Sequence, residues 1–195
     1  MTEKITSRQK QALETKRKIY KTAIVLMEKK GFNNVTIKEI SKASGVSVGA
    51  FYHYFNSKND IYFEIYRKGD EYFQKVVSKS LKEEDSLNRI LEYFEFYARY
   101  NLITGLETTK LLYNTQNKWF IKKGRYMQLL LQEIITEGQN KNELRNEMSS
   151  EEITDYLFIS ARGVVYDWCL NEGKYDLAHK IKNHIKLISE SLIQK

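Results

Sequence analysis

The side chains whose types and spacing suggest chemistry lie in one short stretch, between Thr36 and Lys58. The hydroxyl of Tyr52 and the imidazole of His53 can hydrogen-bond phosphate oxygens, and the adjacent Gly49 and Ala50 allow a backbone to approach a surface closely. These four residues fall on one side of a helical projection. The opposite side holds the residues expected to pack inward, namely Val48, Phe51, Tyr54 and Phe55. A helix with such an outward face is suited to a groove of DNA.

Two short helices must position this face, and local signals mark their ends. Thr36 and Glu39 have the spacing of a capping box, which starts the first helix at Thr36. Gly45 can adopt the left-handed conformation that ends it, and Ser47 is a good N-cap for the second helix. The inward stripe of the first helix is predicted to be Ile37, Ile40 and Ala43.

A third helix is needed because helices this short are not stable alone. Apolar residues recur at helical spacing from about Arg8 to Lys30, and Gly31 follows as a C-terminal cap. The other faces of this segment carry basic residues that can meet phosphates or simply be solvated, and we expect phosphate contact for some of the N-terminal ones. They are Arg8, Lys10, Lys16, Arg17, Lys18 and Lys21.

The run from Gly45 to Ser47, the run from Gly49 to Phe55 and the pair Ser57-Lys58 together resemble the DNA-binding domain of the TetR family of bacterial transcriptional regulators. The resemblance extends over about residues 8 to 66. It implies a dimer that binds a palindromic operator, usually as a repressor, and releases it when a small molecule enters the C-terminal domain. The residues expected to contact double-stranded DNA are Thr36, Lys38, Ser47, Val48, Gly49, Ala50, Tyr52, His53, Tyr54 and Lys58.

The distribution of charge agrees with a nucleic-acid partner for the first third of the chain. Residues 1–68 hold fourteen Lys and Arg against six Asp and Glu, a net of +8, while residues 69–195 hold eighteen against nineteen, a net of −1. A basic patch confined to one segment is the electrostatic footprint of a nucleic-acid binder.

Base readout is weakly specified. The outward face of the second helix lacks Arg, Asn and Gln, the side chains that read guanine or adenine through two hydrogen bonds. We expect readout through backbone approach at Gly49, methyl contacts of Ala50 or Val48, and Lys38. This predicts a strongly salt-dependent phosphate term with modest discrimination per base.

The whole chain is predicted to be all-α, with about nine helices, because it has no proline and only nine glycines. The predicted domains are residues 1–56, a three-helix helix-turn-helix domain, and residues 57–195, a helical regulatory and dimerisation domain. A helix capped at Ser57 and Asp60, running from Lys58 to about Lys79, is expected to connect the two. A further helix is predicted from Trp119 to Glu137, with Gly138 as its stop.

The last two helices are predicted to form the interface of a homodimer. The first runs from Ser150 to about Leu170, with Tyr156 assigned to a face that also holds Leu157 and Val164, and the second presents a narrow apolar seam. The seam consists of Leu177, Ile181, Ile185, Ile188 and Leu192. The alternative is that both helices only close the core of the monomer.

Candidates for contact with a small hydrophobic or aromatic effector combine aromatic walls with a few polar groups, as ligand sites do. Arg162 is the most informative, because a cation on an apolar face needs an acidic side chain or an anionic ligand, and the former is favoured. An aromatic stripe at helical spacing is, however, more often core. The candidates are Tyr93, Tyr97, Tyr100, Tyr113, Asn114, Trp119, Tyr126, Phe158 and Arg162.

Catalysis, cofactor binding and metal binding find little support. His179 and His184 stand five residues apart rather than four, and Cys169 is the single cysteine. No signal peptide or membrane-spanning apolar run is evident, so a cytoplasmic protein without membrane association is expected. The alternative function is a DNA-binding adaptor whose C-terminal domain senses a protein partner.

Overall fold

The computed structural model describes residues 6–113 and 117–194, and over these residues the protein is all-α, as predicted. The described residues contain no strand; the nearest to one is an isolated antiparallel bridge between Leu144 and Ile193. The chain divides into two compact units, Met1–Ile65 and Tyr66–Lys195. No helix in the described residues is long and apolar enough to cross a membrane.

The N-terminal unit is built on three helices, α1 (Ser7–Lys30), α2 (Ile37–Ser44) and α3 (Val48–Tyr54), with a 3-10 turn at Phe32–Asn34. Capping hydrogen bonds start each helix, because side chains at Thr6, Thr36 and Ser47 accept from backbone N–H groups three residues later. The core of the unit consists of Ile19, Ala23, Met27, Val35, Ile40, Phe51, Phe55, Ile61, Tyr62 and Ile65.

Helix α4 (Asn59–Tyr72) continues through a π-helical turn at Phe73–Val77 into a last helical turn at Ser78–Ser80. The Asp60 carboxylate accepts hydrogen bonds from the Asn56 N–H at 2.8 Å and the Ser57 hydroxyl at 3.1 Å. The predicted helix from Lys58 to about Lys79 is therefore present, with one π-helical turn inside it.

The C-terminal unit adds α5 (Ser86–Thr104), α6 (Leu106–Leu112), α7 (Tyr126–Asn140), α8 (Ser150–Leu170) and α9 (Leu177–Ser189). A 3-10 turn, Lys118–Ile121, precedes α7, and another, Glu190–Leu192, follows α9. One hydrophobic core joins α5, α7, α8 and α9.

The predictions for α7 were wrong at both ends. The helix starts at Tyr126 rather than Trp119, because Gly124 adopts φ +75°, a left-handed conformation that interrupts a helix. Gly138 lies inside the helix instead of ending it. A Cβ atom there would lie only 2.7 Å from the Ser86 Cβ, so this glycine serves the close packing of α7 on the start of α5.

The apolar seam of α9 faces the core of its own unit. Leu177, Ile181 and Ile185 are fully buried, and Ile188 and Leu192 pack against the same core, so the assignment of this seam to a dimer interface was wrong. Tyr156 of α8, predicted to share a face with Leu157 and Val164, is exposed while both of those residues are buried. Helical periodicity finds the apolar stripes, but long-range packing decides which one turns inward.

Candidate nucleic-acid interface and effector region

The predicted capping box at the start of α2 is present. The Thr36 hydroxyl accepts from the Glu39 N–H at 3.2 Å, and the Glu39 carboxylate accepts from the Thr36 N–H at 2.8 Å. Lys30 donates to the same carboxylate at 2.9 Å. The hydrogen bond from Lys30, and to a smaller extent those from Thr36, lower the pKa of Glu39 to about 2. Gly45 ends α2 in the left-handed conformation, with φ 66° and ψ 35°.

Three of the four residues predicted to face outward from α3 are exposed, and the fourth, Ala50, is not. Gly49, Tyr52 and His53 are exposed, with 51% of Tyr52 accessible, while Ala50 and Tyr54 are partly buried. Val48 was predicted to pack inward, yet it is 41% exposed. It is the first residue of α3, about one helical turn before the buried Phe51.

The packed face of α2 also differs from the prediction. Ala43 is exposed and Ile37 is partly buried, whereas Ser41 and Ser44 are buried beside Ile40. The Ser44 hydroxyl donates to the Ile40 carbonyl at 2.7 Å, so a polar residue is tolerated inside by bonding to its own helix.

Several predicted DNA contacts have structural duties within the unit. The Lys58 ammonium donates to the carbonyls of Phe32 at 2.8 Å and Val35 at 2.7 Å and lies 4.6 Å from the centroid of the Phe32 ring. The hydroxyls of Thr36 and Ser47 cap their helices. Contact of these three residues with DNA stays a prediction. The same holds for Lys38, which is exposed on α2.

The basic residues of α1 fall into two kinds. Lys16 lies 3.3 Å from the carboxylate of Glu64, which is only 6% exposed, so Lys16 compensates a buried charge within the unit. The other basic residues named above are exposed and available to phosphates; these are Arg8, Lys10, Arg17, Lys18 and Lys21.

The effector candidates of the C-terminal unit separate into two groups, the first of which is core. Tyr93 is fully buried and its hydroxyl donates to the Met127 carbonyl at 2.6 Å. Tyr97 and Phe158 are also buried, with ring centroids 5.8 Å apart. These three residues have the packing of an ordinary hydrophobic core.

The second group lies around Tyr66 and Phe120. Tyr66 lies 5.8 Å from Trp119 and 5.6 Å from Phe120, and Tyr113 lies 4.9 Å from Phe120, measured between ring centroids. We call these four residues the aromatic cluster. The Tyr113 hydroxyl is buried without a hydrogen-bond partner.

Two arginines border the aromatic cluster. Arg125 binds both carboxylate oxygens of Asp70, at 3.1 and 3.2 Å, and lies 4.6 Å from the centroid of the Tyr66 ring. Arg162 donates to the Phe120 carbonyl at 2.9 Å and lies 5.7 Å from the Phe120 ring. The acidic partner favoured for Arg162 is not found: over the residues that the structure describes, no carboxylate pairs with it.

The remaining candidates are dispersed. Tyr100 packs on Tyr72 at 5.2 Å, Tyr126 is partly buried against the core, and Asn114 lies outside the described residues. Tyr66 was not among the predicted effector contacts, and the pairing of Asp70 with Arg125 was not predicted either. Gly124, a strong helix breaker, was the available signal that Trp119 and Phe120 leave the helical register of α7.

Comparisons with known proteins agree with this geometry. A family described as bacterial regulatory proteins, tetR family, matches residues 19–65, and one described as YsiA-like protein, C-terminal region, matches residues 72–191. The fold and the helix-turn-helix define a DNA-binding transcriptional regulator. The chain belongs to the TetR family of bacterial regulatory proteins, as the resemblance predicts.

Individual relatives cover nearly the whole chain. It is 25% identical over 186 residues to the fatty acid metabolism regulator protein of Bacillus subtilis, covering 91% of this chain and 95% of that protein. It is 24% identical over 188 residues to the probable acrEF/envCD operon repressor of Escherichia coli, covering 86% and 81%. The solved structure of FadR from Bacillus subtilis in complex with stearoyl-CoA shares the fold, with a TM-score of 0.70 at 21% identity over 88% of this chain and 96% of that one.

Proposed function

We propose that the protein is a homodimeric repressor that binds a palindromic operator and is released from it by a small hydrophobic effector. The observation that carries the proposal is the exposed face of α3, where Gly49, Tyr52 and His53 lie side by side in the part of the chain with a net charge of +8. Since its task is to bind operator DNA, we place the protein in the cytoplasm and assign it no catalytic activity.

Binding by two copies follows from the geometry of the motif. Dimers with a helix-turn-helix place two recognition helices in successive major grooves about 34 Å apart. Any change in that separation lowers affinity steeply, and an effector acts by preferring the state with the wrong separation. Helix α4 has residues in both units, and we assign to it the transmission of this change.

An exposed apolar stripe on α8 supports dimerisation. Its members recur at alternating steps of three and four residues, the spacing of one helix face that packs against another helix. They are Tyr156, Ile159, Gly163, Tyr166 and Leu170, all exposed. Leu187 of α9 is also exposed. A contiguous apolar face on a protein surface indicates a site of association.

A hydrophobic effector is supported by the C-terminal unit and by the relatives. The aromatic cluster combines apolar walls with two arginines, as ligand sites do. One similar regulator carries fatty acid metabolism in its name, and the FadR structure holds stearoyl-CoA. We therefore propose an effector with a long apolar part.

The test is fluorescence anisotropy with the DNA upstream of the protein's own gene and a scrambled duplex, across a salt series. We expect tight binding to the first duplex, preference over the scramble, and a steep salt dependence from phosphate contacts. Addition of acyl ligands should then release the operator. Equal weak binding to this duplex and to scrambled DNA, repeated with duplexes from the neighbouring genes, would contradict the proposal.

A further inference from the structure

Arg162 and Tyr113 stand out because each has hydrogen-bonding capacity that the protein leaves unused. A guanidinium has five N–H donors, and Arg162 uses one of them on the Phe120 carbonyl. The Tyr113 hydroxyl is buried near that of Tyr97, but no atom stands in good hydrogen-bonding geometry with it. Buried polar groups are nearly always satisfied, so an exception calls for a missing partner.

The two groups border the same ring. The Tyr113 ring lies 4.9 Å from that of Phe120, and the Arg162 guanidinium carbon lies 5.7 Å from the same ring. Trp119 belongs to the same group of rings, because Tyr66 stacks on it at 5.8 Å and also contacts Phe120. Donors and apolar walls therefore meet at one place in the C-terminal unit.

The charges there are not balanced. Arg125 is neutralised by Asp70, which binds it through both oxygens, and it also donates to the Tyr66 carbonyl at 3.4 Å. Arg162 is partly buried and has no such counter-charge among the described residues. A cation removed from water without a counter-charge favours an anion or a strong acceptor beside it.

A partner shared by Arg162 and Tyr113 must be an acceptor, because Arg162 can only donate. Burial raises the pKa of Tyr113 well above its ordinary value, so the hydroxyl keeps its proton and donates at neutral pH. Arg162 has only donors. The planar fork of a guanidinium matches the two oxygens of a carboxylate, and it also binds a single carbonyl oxygen.

We propose that Arg162 and Tyr113 bind the oxygen-bearing end of the effector, and that this end is an acyl group, either a free carboxylate or the carbonyl of a thioester. The aromatic cluster holds the adjoining apolar chain. This inference rests on the proposed function, because it names the chemistry recognised by the effector site of the same protein.

The test compares three probes of equal chain length, decanoate, decanoyl-CoA and 1-decanol, by titration calorimetry on the full chain and by release of operator DNA. We expect decanoate or decanoyl-CoA to bind roughly ten- to a hundredfold more tightly than 1-decanol, the range for a hydrogen bond that involves a charged group. Preference for decanoate identifies a free carboxylate as the ligand, and preference for decanoyl-CoA alone identifies a thioester.

Variants assign the preference to its residues. Arg162→Met should abolish the preference over 1-decanol, and Arg162→Lys should retain part of it, because the ammonium keeps the charge without the fork. Tyr113→Phe should reduce it severalfold. Arg99→Met is the matched control, because Arg99 also lies over a phenylalanine ring, that of Phe96 at 5.3 Å, but on the exposed surface of α5. Thermal unfolding checks that each variant folds. If Arg162→Met does not fold, Tyr113→Phe is used to test the inference.

The outcomes separate the inference from the function on which it rests. Equal binding of all three probes by the wild type, or a preference that survives in Arg162→Met and Tyr113→Phe, overturns the inference and leaves a hydrophobic effector in place. If none of the probes binds while the operator is still recognised, the proposed effector class and this inference are both wrong.

Discussion

Tyr52 is the residue on which the DNA-binding proposal depends most directly. Its ring meets the fully buried Phe51 edge to face at 5.8 Å, while half of the side chain remains exposed. The hydroxyl therefore belongs to a ring that packs on the core and stays half exposed, which suits a hydrogen bond to a phosphate.

We expect Tyr52→Phe to weaken binding to the operator and to scrambled DNA by a similar factor, about fivefold for one hydrogen bond worth about 1 kcal/mol. Phosphates are the same in every sequence, so the ratio of the two affinities should not change. Anisotropy titrations with both duplexes measure this. Unaltered affinity in the variant would rule out the contact.

The charge of Glu39 makes the stability contributed by the N-cap of α2 depend on pH. Its pKa is lowered from 4.5 to about 2, mainly by the hydrogen bond from Lys30 and then by those from Thr36. Because the folded-state pKa lies below the unfolded value, the stabilisation is fully present above about pH 4.5 and is lost as the pH falls toward 2.

Glu39→Gln keeps a hydrogen-bonding side chain in the capping box and removes the charge. The variant should be less stable than wild type at pH 7, and the difference in unfolding free energy should shrink between pH 4.5 and the lowest pH at which the protein folds. Urea unfolding across this range provides the measurement. A difference that is constant with pH would show that the charge of Glu39 does not contribute.

At the scale of elements, two glycines of the helix-turn-helix have different tasks. Gly45 has φ +66°, which side chains rarely adopt, and it ends α2. Gly49 lies inside α3, where an added Cβ would meet nothing closer than the Ser47 hydroxyl at 3.8 Å. Gly45 is needed for the backbone conformation of the turn, whereas Gly49 leaves the surface of α3 without a side chain at the point where DNA is proposed to approach.

Gly45→Ala should therefore lower the unfolding free energy by about 1 kcal/mol or more, the cost of a left-handed alanine. Gly49→Ala should raise it by about 0.5–1 kcal/mol, since alanine is the better helix former, and should weaken operator binding because the added methyl holds the DNA away. Chemical unfolding and anisotropy on both variants check this pair. An unfolding free energy of Gly45→Ala equal to that of wild type, together with unimpaired DNA binding of Gly49→Ala, would contradict both assignments.

At the scale of the whole molecule, the exposed stripe on α8 is proposed to join two copies. Ile159 lies in the middle of this stripe and is 58% exposed. A charge buried at a symmetric helix interface meets its own copy, so one substitution introduces two like charges.

Ile159→Asp should convert the dimer to a monomer and reduce operator affinity by orders of magnitude, because each half-site is then bound independently. Sedimentation velocity and anisotropy measure the two effects. Ile103→Asp is the control, since Ile103 is 71% exposed on α5, outside the stripe, and this variant should stay dimeric. A dimeric Ile159→Asp variant would place the interface elsewhere.

The local sequence was sufficient to predict the all-helical class, the helix-turn-helix and the starts of α2 and α3. The bonds that form these starts join residues three apart, Thr36 with Glu39 and Ser47 with Ala50, so their energies depend on immediate neighbours only. The left-handed Gly45 is likewise a property of a single residue. Such features follow from the order of the amino acids.

Tertiary structure alone decided which apolar stripe turns inward and which polar groups meet. The seam of α9 faces its own core, Lys58 bonds the carbonyl of Phe32, and Arg162 lies beside Phe120. Each depends on residues distant in the chain, and periodicity marks an apolar face without naming what covers it. Sequence therefore determined where α2 and α3 begin and most of the surface that α3 presents. Long-range packing determined that Arg162 and Tyr113 border the same Phe120 ring, because only the fold brings the end of α6, α8 and the turn before α7 together.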